Sequence, residues 1–435
     1  MTCNEIRHRL AVLEAVPRPA TFAVMSAATS AGGETLDALL TSPSFFDDPY
    51  PAYARLRDEA PVHWCEPWGA WVLTRHDVVS SVVKDQARFA SGGYELRVAE
   101  GLERQFGVEL PSLRAHYAMK IVTIADPPEH GRLRRPIVRG LGPRVLAVAR
   151  PVTERLVREH LDALGAGVVD LVPNFSLPVP ARLIAGLLGV PEQDQAAFSR
   201  WSHDIVAFLG GGKPDLDRAL AAEQALSEFR AYLRELIAVA RTEDRDDMMS
   251  VLMRGADGDA PLNDGELMAT AVTLVFAGHE TTANIVSNAV VALLEAPDQM
   301  AALRADPSLL DAAIEETLRY NGSVQRVRRI ARDDVELEGQ HIAGGDVLLN
   351  FLGSANRDPG AWAEPDRFDI SRSTTRHLGF GYGPHFCVGS ALARMEAPLM
   401  LGALLERYPS IELAAPPRWA PNIVFRGPEE LLLSV

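Results

Sequence analysis

The sequence predicts a mainly α fold with a small β region, and three observations carry that prediction. From Asp48 onward most of the chain falls into helical-period segments joined by short loops. Residues 264–295 sustain that pattern longest and are apolar on nearly every side, as in a helix that crosses the interior rather than lying on it. Strand-like alternation is confined to residues 62–74 and 324–350, and no repeat of 20 to 50 residues organises the chain.

Residues 1–35 read as a loose extension. The stretch 10–25 is apolar but broken by Glu14, Pro17, Arg18 and Pro19, too interrupted for a signal peptide, and Met25 is a candidate alternative start. Residues 36–435 read as a single domain. Asp48-Pro49 opens a helix to about Glu59, and residues 62–64 and 70–74 pair as strands around Pro67 and Gly69. Over residues 91–119 the period weakens at Gly92, Gly93, Gly101, Gly107 and Pro111, which predicts a long substrate-shaping loop. Helices return at 128–141, 144–164, 177–188, 191–209 and 217–240, the last two joined by a pliant hinge at Gly210, Gly211 and Gly212. The 264–295 pattern spans about 50 Å at ~1.5 Å per residue, yet its middle, Ala277-Gly278-His279-Glu280-Thr281-Thr282, is polar. A further helix runs from Pro307 to Tyr320, strands turn at Gly339 and Gly344-Gly345, an irregular stretch covers 356–378, and a last helix covers 388–408.

The chain has 435 residues, 47% of them hydrophobic, and a net charge of −15. An acidic protein of this kind repels phosphates, which argues against a nucleic-acid binder, and no apolar run is long enough to span a membrane. Cys3, Cys65 and Cys387 are few, scattered and odd in number, so a disulfide framework is not expected and a reducing cytoplasm suits the chain.

Chemistry concentrates in Phe380-Gly381-Tyr382-Gly383-Pro384-His385-Phe386-Cys387-Val388-Gly389, just before the last helix. A thiolate at a helix start feels the positive end of the dipole, so the Cys387 pKa should fall and make it a soft-metal ligand. Gly381, Gly383 and Gly389 permit positive φ and close approach of a flat ligand. Three further roles fit parts of it: a small buried apolar cysteine, a zinc site with His377 and His385, or part of a dinucleotide loop. None accounts for the whole decapeptide.

The decapeptide resembles, at each fixed position, the FGxGxHxCxG haem-binding loop of the cytochrome P450 family, whose cysteine is the proximal ligand of haem iron. Ala277-Gly278-His279-Glu280-Thr281-Thr282 is similar to the family's distal motif, where the helix opens over the iron, and Glu316-Thr317-Leu318-Arg319 is similar to its ExxR pair. Arg367, within Pro365-Asp366-Arg367-Phe368, resembles the arginine that joins that pair. With Asp126-Pro127-Pro128-Glu129-His130, the likeness covers about residues 45–430.

The resemblance implies a P450 fold in which a long distal helix and the Cys387 loop sandwich haem b. It implies a haem-thiolate monooxygenase of the soluble bacterial style, using O2 with electrons from NAD(P)H delivered by a separate reductase and ferredoxin. Glu280 and Thr281 would relay protons; Ala277, Gly278, Phe380, Gly381 and Gly389 would contact haem; His130, Arg134, Arg329, His377 and His385 would hold its propionates. Glu316, Arg319 and Arg367 would be structural. Arg132, Arg135 and Arg139 form a basic patch that suits an acidic electron donor. The expected protein is a cytoplasmic monomer acting on a lipophilic small molecule, by hydroxylation or epoxidation, with Arg97, Arg114, His116 and Arg326 as candidate anchors for a carboxylate. A peroxide-driven oxidase and a non-catalytic haem sensor are the alternatives; the intact Glu280–Thr281 pair argues against the first, and the missing effector domain against the second.

Overall fold

The structure, a computed structural model, describes residues 34–209, 215–243, 247–254, 261–374 and 376–435. Of the extension expected over 1–35, residues 1–33, with Met25, lie outside the described residues, as does the glycine hinge at 210–212, while Thr35 caps a short helix, Leu36–Thr41. Helix α1 (Tyr50–Glu59) leads into the hairpin β1 (Val62–Cys65) and β2 (Ala70–Leu73), followed by α2 (His76–Lys84) and β3 (Phe89–Ala90). The expected loop over 91–119 is instead two helices, α3 (Tyr94–Phe106) and α4 (Pro111–Tyr117). Its glycines punctuate rather than loosen. Gly93 and Gly107, at φ 94° and 65°, bracket α3, and Pro111 takes the first turn of α4, where an N–H has no helical partner anyway.

Helices α5 (Glu129–Gly140) and α6 (Pro143–Leu164), strand β4 (Val168–Asp170), and helices α7 (Pro178–Leu187), α8 (Gln195–Leu209), α9 (Leu216–Thr242) and α10 (Met248–Arg254) come next. The longest helix, α11 (Asp264–Glu295), has the bounds the sequence predicts. A capping box of Asn263 and Glu266 fixes its start, and Glu266 also binds Arg132. Packed against α7, α8, α9 and three later helices, α11 runs through the largest apolar cluster, which explains why it lacks a polar stripe.

After α12 (Pro297–Ala305) and α13 (Leu310–Tyr320) come β5 (Arg326–Ala331), β6 (Val335–Leu337), β7 (Gln340–Ile342) and β8 (Val347–Phe351), then the irregular stretch and α14 (Ser390–Arg407). The main sheet has the order β1-β2-β8-β5-β3, antiparallel except where β2 lies parallel to β8. The terminal strands β9 (Glu412–Leu413), β10 (Arg418–Trp419), β11 (Pro428–Glu430) and β12 (Leu432–Ser434) leave no trace in the sequence pattern, because two or three residues are too few to show a period. Gln325 N–H donates to the Val424 carbonyl at 2.8 Å, and Val324 pairs with Phe425, so the approach to β5 meets the terminal loop.

Glu316 and Arg319 brace the irregular stretch from α13. Both side chains are fully buried; Nε and Nη2 of Arg319 donate to the Glu316 carboxylate at 2.8 and 2.7 Å. The remaining Arg319 donors reach the carbonyls of Asn356, Pro365 and Arg367 at 3.0, 2.7 and 3.0 Å. Arg367 therefore joins through its backbone. Its side chain is half-exposed near Glu364, and the guanidinium that approaches Glu316, at 3.4 Å, belongs to Arg372. Adjacency to the Pro-Asp-x-Phe landmark misleads here, since five residues of irregular chain bring Arg372 inward instead. Arg319→Met should strand a buried carboxylate and lower the unfolding free energy by about 3–5 kcal/mol in urea denaturation. Arg367→Ala should cost less than about 1 kcal/mol; equal losses would return the Arg367 side chain to the pair.

Candidate active site

The braced stretch delivers the chain to the loop over residues 380–389. Gly381 and Gly383, both at φ 72°, make its turns, and Cys387 N–H closes it by donating to the Phe380 carbonyl at 2.9 Å. Phe380 is buried, with Arg394 4.6 Å over its ring. Gly389 stands at an ordinary φ of −85° as the N-cap of α14, so the positive φ expected there is absent. Its role is spatial, since a Cβ there would lie 3.9 Å from the Cys387 sulfur.

Burial pushes the Cys387 thiol up, against the amides of Gly389 and Ser390 and the charges of Arg134 and Arg394, all of which favour thiolate. The lowered pKa expected from the sequence is therefore reversed. A helix end alone would lower it, but the apolar enclosure outweighs that, and α14 begins only at Ser390. An enclosed thiol ringed by groups that favour its anion suits a metal cation on the sulfur. The zinc reading lacks its ligands: among the described residues no group of three or more His, Cys, Asp or Glu gathers as a metal site.

Opposite in chemistry is a cluster of basic side chains, two arginines and two histidines. The His130 and His385 rings lie 4.1 Å apart, and His385 Nε2 meets the Ser91 hydroxyl at 3.0 Å. Arg134 donates to the Phe386 carbonyl at 2.7 Å, and Arg329 to the carbonyls of Arg328 and Val83 at 2.7 and 3.2 Å. His130 Nε2 and Arg329 Nε are buried without any partner. Burial, reinforced by Arg329, His130 and Arg134, drives the His385 ring down to about 3, and burial draws Arg329 down to about 10. Asp126, the carboxylate whose field reaches His130 and Arg329, is engaged by the Ser91 amide at 3.0 Å and by Arg332 at 2.8 Å. Unpartnered donors and surplus positive charge beside the cysteine loop fit a group that carries carboxylates, as haem does.

His377 stands apart from that cluster. Its Nε2 meets Glu315 at 2.9 Å and its Nδ1 accepts from Gly379 N–H at 3.0 Å, leaving it no free nitrogen for a propionate. Burial would raise the Glu315 carboxyl, but hydrogen bonds from His377 and Arg394 hold it at about 2. Glu315, Arg394 and Ser91 give no signal in the sequence because their partners lie 62, 79 and 294 residues away. The basic patch also shrinks, since Arg132 pairs with Glu129 and Glu266; Arg135 and Arg139 remain exposed.

On α11 the expected opening is absent, and the helix is continuous through Ala277 and Gly278. Thr281 and Thr282 hydroxyls donate back to the carbonyls of Ala277 and Gly278 at 2.6 and 3.2 Å, which secures the turn that the sequence predicts to part. Gly278 serves packing, because a Cβ there would sit 3.2 Å from Ile184 of α7. His279 is buried, its Nδ1 3.1 Å from the Ser202 hydroxyl, and burial keeps its ring neutral with a pKa of about 4. Glu280 is partly covered, yet burial alone lifts its carboxyl to about 8, as expected of an acid lining an enclosed space.

The family model for cytochrome P450 matches residues 219–417. Cytochrome P450 monooxygenase PikC of Streptomyces venezuelae is 40% identical over 410 residues, covering 92% of this chain and 94% of the relative. The 6-deoxyerythronolide B hydroxylase of Saccharopolyspora erythraea is 36% identical over 402 residues, 90% of this chain and 97% of that one. Among solved structures, epothilone D-bound cytochrome P450epoK superposes with a TM-score of 0.83 at 29% identity, over 90% of this chain and 97% of that chain. Likeness over nine-tenths of the chain, on a fold whose cysteine loop and buried Glu316–Arg319 pair stand where the motifs predict, makes this protein an oxidoreductase of the monooxygenase class belonging to the cytochrome P450 family.

Proposed function

We propose that residues 36–435 form one haem-thiolate unit that inserts an oxygen atom of O2 into a lipophilic organic molecule, with electrons passed from NAD(P)H through a reductase and a ferredoxin. The observation that carries the reading is the enclosed Cys387 thiol beside unpartnered His130 and Arg329 donors. Cys387 Sγ would bind the iron, and His130, Arg134, Arg329 and His385 would take the propionates; His377 would brace the loop. Haem b, when bound, would supply there the oxygen-activating redox chemistry of its iron.

This chain's own residues supply the rest. Leu274 and Val275, buried on α11, exclude water from one wall. Glu280 is protonated at neutral pH, so it is the group with a proton to give, at a pKa close to working pH. Thr281 Oγ1 has already donated its hydrogen to the Ala277 carbonyl, so its lone pairs accept, and it positions a proton donor rather than being one. Tyr382 and Phe386 are 43% and 37% exposed on the cysteine loop, an apolar landing for an electron donor that Arg135 and Arg139 would steer electrostatically. One relative named as a 6-deoxyerythronolide B hydroxylase, and one solved with epothilone D bound, support an organic small molecule as substrate.

Cys387→His should shift the Soret band of the reduced carbonyl complex toward that of imidazole-ligated haem; an unchanged band would remove Cys387 as ligand. Thr281→Ala should retain haem while diverting reducing equivalents to hydrogen peroxide, measured as peroxide formed per NADPH consumed, and full coupling would defeat its positioning role. A carboxyl raised from 4.5 to about 8 holds more protons folded than unfolded between those values, so it lowers stability as pH rises through that window. Glu280→Gln should therefore gain stability over the parent as pH is raised from 5 to 8, read as the difference in urea midpoint; parallel profiles would mean that Glu280 is not desolvated.

A further inference from the structure

The four anchors that the sequence offers to an acidic substrate separate cleanly. Arg97 and Arg114 are exposed, the first bonded to the Gly93 carbonyl at 2.8 Å and the second 3.4 Å from Glu103. His116 is buried, and its burial, with Arg230 nearby, holds the ring neutral at a pKa of about 3, so it offers an anion no charge. Arg326 is 7% exposed, and its guanidinium finds no acceptor among the described residues; its Nε is wholly enclosed and bare.

The groups around Arg326 leave it uncompensated. Arg328, Tyr94, Tyr53 and Glu95 act on it, but Glu95 is bound by Arg328, whose guanidinium lies 4.0 Å over the Tyr94 ring. Two guanidiniums thus share one carboxylate inside the protein. Burial, then Arg328, draws Arg326 down to about 10, which leaves it charged at neutral pH. A buried cation without a partner is costly and persists where something else completes it.

Its place in the fold says where the missing anion comes from. Arg326 shares β5 with Arg329, and Tyr94 and Glu95 begin α3 three residues after Ser91, so the same two segments that carry the His385 and propionate cluster carry this one next to it. Strand alternation turns Arg326 and Arg328 to one face and Arg329 to the other, which separates Arg326 from that cluster. Val324 and Gln325, just before it, meet the terminal loop at Phe425 and Val424.

We propose that Arg326 is a specificity-determining residue that binds the carboxylate of an acidic lipophilic substrate. This rests on the oxygenase reading above. Decanoate with 1-decanol, and adamantane-1-carboxylate with 1-adamantanol, are matched probes, titrated calorimetrically into the holoenzyme. Each carboxylate should bind at least about tenfold tighter than its alcohol, the worth of a charge-assisted pair. Arg326→Gln should abolish that preference while keeping haem content and the reduced carbonyl spectrum of the parent. No preference in the parent, or a preference that survives Arg326→Gln, would overturn the proposal. So would haem loss in Arg326→Gln matching that of Arg329→Gln, which would make Arg326 a cofactor ligand. A parent holoenzyme without a thiolate-type carbonyl spectrum would count against the oxygenase reading alone, because calorimetry still decides the carboxylate preference.

Discussion

Positive charge enclosed beside a neutral thiol is the constraint around which this structure is arranged. His130, Arg134, Arg329 and His385 crowd together although they depress one another's proton affinity, and two of their nitrogens stay bare. No polypeptide benefits from such an arrangement by itself. It is held because its members come from rigid or braced pieces: α5, strand β5 and a loop that Glu316 and Arg319 fasten from behind. The brace satisfies every charge it encloses, whereas the cluster leaves charges open, and that contrast separates scaffold from site more sharply than burial does.

The middle of α11 follows a different rule. Its polar residues on α11 are tuned by enclosure rather than by partners: burial alone raises Glu280, and burial keeps His279 neutral. Threonine hydroxyls occupy the helix's own carbonyls, so a helix whose sequence looks breakable stays whole. Proton affinity here is set by where α11 passes through the core, which ties it to the packing of the helix.

Much of this is legible in the sequence, for reasons that also mark the limits. The cysteine loop can be read because its fixed letters are contiguous, and α11 because an apolar pattern of that length fits only a helix threaded through a core. The stretch 91–119 misleads because glycine and proline serve equally at helix ends and in loops; only the conformations at Gly93 and Gly107 decide. Arg367 and His377 are misassigned when neighbours along the chain are taken for neighbours in space, while Arg372 and Glu315 hold the actual contacts. The Cys387 pKa comes out with the wrong sign because dipole ends can be read from sequence and the depth of enclosure cannot.

Helix α3 has a further consequence. Glycines whose missing side chains face open space stand at both its ends, Arg328 grips its first turn, and Ala99 and Leu102 root its inner face in the largest apolar cluster. Between those swivels only the outward residues, such as Arg97, Glu100 and Arg104, are open to exchange, because replacing Ala99 or Leu102 would disturb the interior. Helix α3 is thus pliant at its two ends and anchored at its middle, the reverse of a hinged flap.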